Sequence, residues 1–185
     1  MVLLIWLLVI AGLIVLWLNN DMFGSLPKKE LLLRIQSSQN YREGKFQNLH
    51  HTPDLAEGVG FFKVMKDFFF NKDKNNVPPI ALPTKKINLF NIGADEQVFV
   101  WFGHSSYFMQ VDGKKILVDP VLSGSASPVP YNVKAFAGTD VYEVSDIPII
   151  DFLFISHDHW DHLDYKTITK IQPTVRKVFC GLGVS

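Results

Sequence analysis

From Val2 to Leu18 the chain reads "VLLIWLLVIAGLIVLWL", with no charged position and no polar stripe of any period. A run apolar on every side predicts a helix that is not amphipathic, and at about 1.5 Å per residue it reaches roughly 25 Å. Set beside a bilayer core of about 30 Å, with Trp17 near one interface, it predicts a single-pass transmembrane anchor over residues 1–19. No basic stretch precedes the run, and "LWLNNDMFG" offers no small-x-small cleavage site, which argues against a removed signal peptide. Lys28, Lys29 and Arg34 follow it, so the positive-inside rule places the remaining chain on the cytoplasmic side of the membrane.

After the anchor the pattern becomes periodic. Leu26, Leu31, Leu32, Leu33 and Ile35 recur near helical spacing, and a polar loop, "SSQNYREGKFQNLHHTPD", follows. Phe61, Phe62, Met65, Phe68 and Phe69 share one helical face, which predicts a helix packing its aromatics on the core. "VPPIALPTKK" then connects this membrane-proximal segment, residues 20–80, to a regular domain over residues 81–185. There the period changes to two. "QVFVWFG", "SYFMQV" and "KKILVDP" are strands, and Asp112-Gly113 supplies the turn between the last two. "IPIIDFLFIS" is apolar on both faces, as a central strand is; "LDYKTITKIQ" is a helix capped by Asp164 and stopped before Pro173; "RKVFCGLG" is the next strand. Strand, helix and strand in succession make a βαβ crossover, so an antiparallel meander continues into a parallel sheet of an α/β (α+β) domain.

Charge narrows the partners. Eighteen basic and eighteen acidic residues give a formal net charge of zero, so no global field draws the protein to nucleic acid. The single cysteine, Cys180, has no partner for a disulfide and reads as a buried thiol at a strand end. The chemistry is concentrated in "ISHDHWDHLD", behind the central strand, where ligand sites of α/β layers lie. In a turn at that place His157 and His159 can face one metal ion while Asp161 and His162 turn to a second beside it. Imidazole suits zinc, and the carboxylate also admits iron or manganese. Two such cations about 3.5 to 4 Å apart activate water and clamp the attacked and leaving oxygens, which is hydrolytic chemistry.

"SHDHWDHLD" resembles the H-x-H-x-D-H signature of the metallo-β-lactamase superfamily. "WFGHSSYFMQVDGKKILVDPVLSGSASP" is similar to the branch containing N-acyl-phosphatidylethanolamine-hydrolysing phospholipase D and the L-ascorbate-6-phosphate lactonases, with the tryptophan at 160, GHSS and DP favouring the phospholipase-like side. The resemblance implies an αββα sandwich with two zinc ions at one edge of its sheets. His157 and His159 would bind the first metal, and Asp161 and His162 the second. Asp119 would lie beneath the metals and orient a histidine, and His104 would stand at the mouth of the site, completing with Asp161 its catalytic groups. The same family pattern carries a further histidine, a bridging aspartate and a final histidine downstream, whereas residues 165–185 contain no His, Asp or Glu. The chain is therefore expected to be the N-terminal half of the sandwich, preceded by the transmembrane helix and inactive without the rest of the domain.

The function expected is that of a membrane-anchored, metal-dependent hydrolase of phosphodiesters, most plausibly N-acylated phospholipids supplied by the bilayer. A lactonase or soluble phosphoesterase of the same fold, or a non-catalytic truncated membrane protein, are the alternatives. The sequence leaves oligomeric state open.

Overall fold

A five-stranded sheet organises the second half of the chain. The computed structural model describes residues 2–71, 73, 75–129 and 132–184. Ahead of the sheet come α1 (Val2–Leu18), α2 (Lys29–Gln36), a small hairpin of β1 (Tyr41–Arg42) and β2 (Lys45–Phe46), and α3 (Phe61–Phe70). The sheet strands are β3 (Val98–Gly103), β4 (Ser106–Val111), β5 (Lys114–Val118), β6 (Ile150–Ile155) and, after α4 (Tyr165–Ile171), β7 (Val175–Cys180). They lie side by side in chain order; β3, β4 and β5 are antiparallel, and β6 and β7 join in parallel.

The hairpin turn follows from residue chemistry. Val111 pairs with Lys114, leaving Asp112 and Gly113 as a two-residue loop with φ of 49° and 71°. Positive φ at both positions is what a primed turn demands, and Asp-Gly accepts it at little cost. Asp164 caps α4 by accepting a hydrogen bond from Lys166 N at 3.1 Å, and it also accepts from Ser123 N and Thr167 Oγ1. α4 buries Thr167 and Ile171 against one face of the sheet, where Phe102, Phe108, Leu117 and Leu153 form the core with Tyr142 and Leu89. The opposite face is half-buried along the middle strands and open toward the sides. Phe99 and Trp101 on β3 are each 62% exposed, and the stacked pair Phe154 and Phe179 on β6 and β7 are each 39% exposed.

Three expectations are corrected. The apolar N-terminal run forms α1, but among the described residues no helix is long and apolar enough to cross a membrane. The helix stops at Leu18 after 17 residues, about 25 Å against a bilayer core of about 30 Å. Asn19 turns back to Val15 O, and Asn20 caps the following 3-10 turn by accepting from Met22 N. A transmembrane anchor before the domain is thus overturned, and so are the membrane localisation and cytoplasmic orientation that depend on it. The α+β class of the domain stands. Second, α3 buries none of its residues, and Phe61, Phe62, Phe68 and Phe69 are exposed; an amphipathic pattern marks an apolar face without saying what covers it. Third, Cys180 is exposed because β7 is the outermost strand.

Candidate metal centre

β5 and β6 run in parallel, so their carboxyl ends finish together. The first contributes Asp119 and the second Ser156 and His157, and Asp119 N still donates to Phe154 O at 3.0 Å. Asp119 has φ of 42°, a left-handed conformation that aspartate visits more readily than most residues, and its side chain is turned inward and buried. Its Oδ1 accepts from Ser156 N at 2.8 Å, and its Oδ2 accepts from Ser156 Oγ at 2.6 Å and lies 2.8 Å from His162 Nδ1. A carboxylate can only accept, so this contact puts the proton of His162 on Nδ1 and leaves the Nε2 lone pair facing outward. Ser156 Oγ, which donates its hydrogen bond to Asp119, lies 3.0 Å from His157 Nδ1 and accepts a hydrogen bond from that ring. His157 likewise presents Nε2.

The loop behind β6 closes on itself through His162 N and Leu163 N, which both donate to His159 O. That turn carries Asp161 and His162 toward the tip of the β3–β4 hairpin. There Gly103, at φ of 112°, and His104, at φ of 45°, break the ladder register, and Trp101 Nε1 donates to His104 O at 2.9 Å. His104 Nε2 comes to 2.9 Å from Asp161 Oδ2, with His162 Nε2 3.7 Å from the same oxygen. Burial pushes the Asp161 carboxyl up, but its own backbone N–H, His162 and His104 outweigh this and hold it below the ordinary carboxylate value.

His104, Asp161 and His162 each offer a ligand atom, and these atoms all lie within 4.8 Å of one another. Donors about 2.0–2.2 Å from a common ion lie at most about 4.4 Å apart, so this set fits a divalent metal after a small contraction. His157 and His159 flank the group without joining it. The rings of His157 and His162 have centroids 3.9 Å apart, and those of His157 and His159 4.6 Å. Trp160, between the ligand-type residues, packs edge-on against Phe23, which packs in turn on Trp17. Ser156 is the residue that sequence reasoning overlooks; the only signal is its position between the strand and the first histidine.

A chain of this fold and donor set belongs to a class of metal-site proteins, and similarity to known proteins agrees. The family described as Beta-lactamase superfamily domain matches residues 99–179. An uncharacterised protein of Mycobacterium tuberculosis is 29% identical over 150 residues, covering 80% of this chain and 40% of that protein. N-acyl-phosphatidylethanolamine-hydrolyzing phospholipase D 1 of Caenorhabditis elegans is 34% identical over 159 residues, covering 77% of this chain and 43% of that protein. A UPF0173 metal-dependent hydrolase of Caldivirga maquilingensis is 31% identical over 81 residues, covering 43% and 30%. The chain belongs to the metallo-β-lactamase superfamily. It spans about two fifths of the length of the first two relatives.

Proposed function

We propose that this protein serves as a metal-dependent hydrolase of phosphodiesters, with N-acylated phospholipids as substrates and zinc as the metal, two ions to a complete site. The observation that carries the reading is the convergence of His104, Asp161 and His162 at the ends of two parallel strands, with Asp119 beneath. The 34% identity to the C. elegans phospholipase supports the substrate class. His157 and His159 would hold the first ion and Asp161 and His162 the second. When bound, the metals supply Lewis acidity toward the phosphoryl oxygens and make water nucleophilic at neutral pH. Asp119 fixes the His162 ring through Nδ1, which leaves Nε2 as the atom that would bind the ion. In this assignment His104 is not a metal ligand: with its Nε2 2.9 Å from Asp161 Oδ2, its ring in the protonated form would give a proton to the departing oxygen.

Zinc stoichiometry of the purified protein, together with its hydrolysis of the candidate substrates, tests this. Zinc binding is expected to fall in His157→Ala and His162→Ala, and turnover of N-acylated phospholipid and bis(p-nitrophenyl) phosphate to exceed that of a lactone. Zinc content unchanged in both variants overturns the ligand assignment. Preferred turnover of the lactone overturns the substrate class.

A further inference from the structure

The tip of the β3–β4 hairpin is fastened on both flanks. In the ladder Trp101 pairs with Tyr107 and Gly103 with Ser106, so Phe102 is the extra residue of a bulge, a device that re-aims the side chains beside it. Phe102 is buried, its ring centroid 4.6 Å from that of Tyr142. On the returning strand Ser106 Oγ donates to Asp119 O at 2.6 Å and accepts from Val121 N at 3.1 Å. Both fastenings hold strand ends. Between them Gly103 and His104 carry φ of 112° and 45°. Glycine takes such values freely, whereas histidine, though found there more often than most residues, is opposed by its own Cβ. Without a further restraint His104 relaxes to negative φ, and its ring swings away from Asp161.

We infer that Trp101 is a positioning residue: its indole N–H holds the strained hairpin tip and so keeps the His104 imidazole against Asp161. Trp101 is exposed, with water in reach of its one polar atom. Nε1 nevertheless donates to His104 O at 2.9 Å, three residues along the chain. Fixing that carbonyl fixes the peptide plane that follows His104, on the very residue whose φ is unfavourable, and the ring on the other side of the same Cα then meets Asp161 Oδ2 through Nε2 at 2.9 Å. The effect on turnover rests on the phosphodiesterase reading, in which His104 gives a proton to the departing oxygen; the positioning itself does not.

Two replacements remove the donor and little else: Trp101→Phe, and benzothienylalanine at position 101, which keeps the indole outline with sulfur in place of N–H. Position 101 is exposed, so both proteins should fold with a thermal transition close to the parent's, and either folded variant suffices. Solution NMR without added metal reads the geometry. Positive φ brings the His104 amide proton close to its own Hα and gives a strong cross-peak, and the ring contact gives cross-peaks between His104 Hε1 and the Asp161 methylene. Both signals should be present in the parent and weakened in the variants. With zinc loaded, kcat for N-acylated phospholipid, whose alkoxide leaving group needs a proton, should fall in the variants while KM holds; kcat for bis(p-nitrophenyl) phosphate, whose p-nitrophenolate departs unprotonated, should change little. His104→Ala sets the limit of the loss, about 10²- to 10⁴-fold, and Trp101→Phe added to it should cost nothing more. Cross-peaks absent from the parent, or unchanged in the variants, overturn the inference, as does a further loss when Trp101→Phe is added to His104→Ala. Absence of phosphodiester turnover in the parent overturns the phosphodiesterase reading alone, and the cross-peaks then still decide the positioning.

Discussion

At the scale of single residues, Asp119 joins the end of one strand to the imidazole of another loop. It is 3% exposed and takes three hydrogen bonds, two from Ser156 and one from His162. Asp119→Ala should lower stability by about 2–3 kcal/mol, since buried donors lose their acceptor, and weaken zinc binding about 10- to 100-fold, since the His162 ring is no longer oriented. Asp119→Asn separates the two effects. The amide oxygen can still accept from Ser156 N, and asparagine tolerates the left-handed backbone, so stability should fall less. An amide nitrogen facing His162 Nδ1, however, forces the proton to Nε2 and removes the ligand, so zinc affinity should fall as far as in the alanine variant. Denaturant unfolding and zinc competition on the two proteins check this, and equal losses of stability would refute the division of roles. The H-x-H-x-D-H spacing singled out the loop's candidate ligands, of which the structure groups Asp161 and His162 with His104. The meeting of His104 with Asp161 was legible only through the family resemblance and not from spacing, because the two lie far apart in the chain and His104 is carried there by a hairpin tip whose positive φ angles no spacing rule records.

At the scale of elements, the strands were readable because each carries its own signal: period-two alternation in β4, the Asp112-Gly113 turn, the doubly apolar β6 and the Asp164 cap of α4. What covers each element was not readable, since burial is decided by partners outside the segment. Asp164 illustrates a local signal with a wider reach: it caps α4 and also fixes Ser123 of the loop beyond Asp119. Asp164→Ala should cost about 2–3 kcal/mol, more than an ordinary exposed cap, because the loop contact and the Thr167 hydroxyl are lost together. Thermal unfolding with Asp164→Asn as the mild control measures it. Asp151 ties β5, β6 and β7 together: Lys115 N donates to it at 2.9 Å, and Arg176 Nη1 lies 2.7 Å away on β7. The Lys115 backbone bond holds the Asp151 carboxyl below its ordinary value, against a smaller upward push from burial and with help from Arg176. A depressed folded pKa means the stabilisation is present above the unfolded value of about 3.9 and is lost as pH falls through the folded one. Between pH 7 and pH 5 Asp151→Asn should therefore be less stable than the parent by a constant amount, on the order of 1 kcal/mol given the exposure of Arg176. The gap should close below about pH 4. A gap that persists unchanged to pH 2 would remove the charge from the explanation.

At the scale of the whole molecule, two apolar surfaces are left uncovered by the chain for different reasons. α1 is exposed along its whole length and adds no buried residue, so the core around Leu117, Leu153 and Ile171 does not depend on it. The open sheet face, in contrast, is the back of that same core: Phe154 and Phe179 are register partners, and Leu153, next to Phe154 in the chain, pairs with Leu117 on the other face. Contiguous apolar surface of this kind drives association when nothing covers it. Removing residues 1–18 should accordingly leave the thermal transition within about 2–3 °C of the parent, because little buried surface is lost. It should also shift the protein toward smaller species in light scattering. Dye binding to exposed apolar surface should fall only in part, since the sheet face remains, and Phe99→Lys with Phe179→Lys in the shortened chain should remove much of the rest. Both positions are outer-strand residues exposed to solvent, where a lysine also blunts edge-to-edge pairing. Should the shortened chain lose its cooperative transition instead, α1 would be part of the folding unit, and the Trp17–Phe23–Trp160 contact would be the means by which it supports the metal loop.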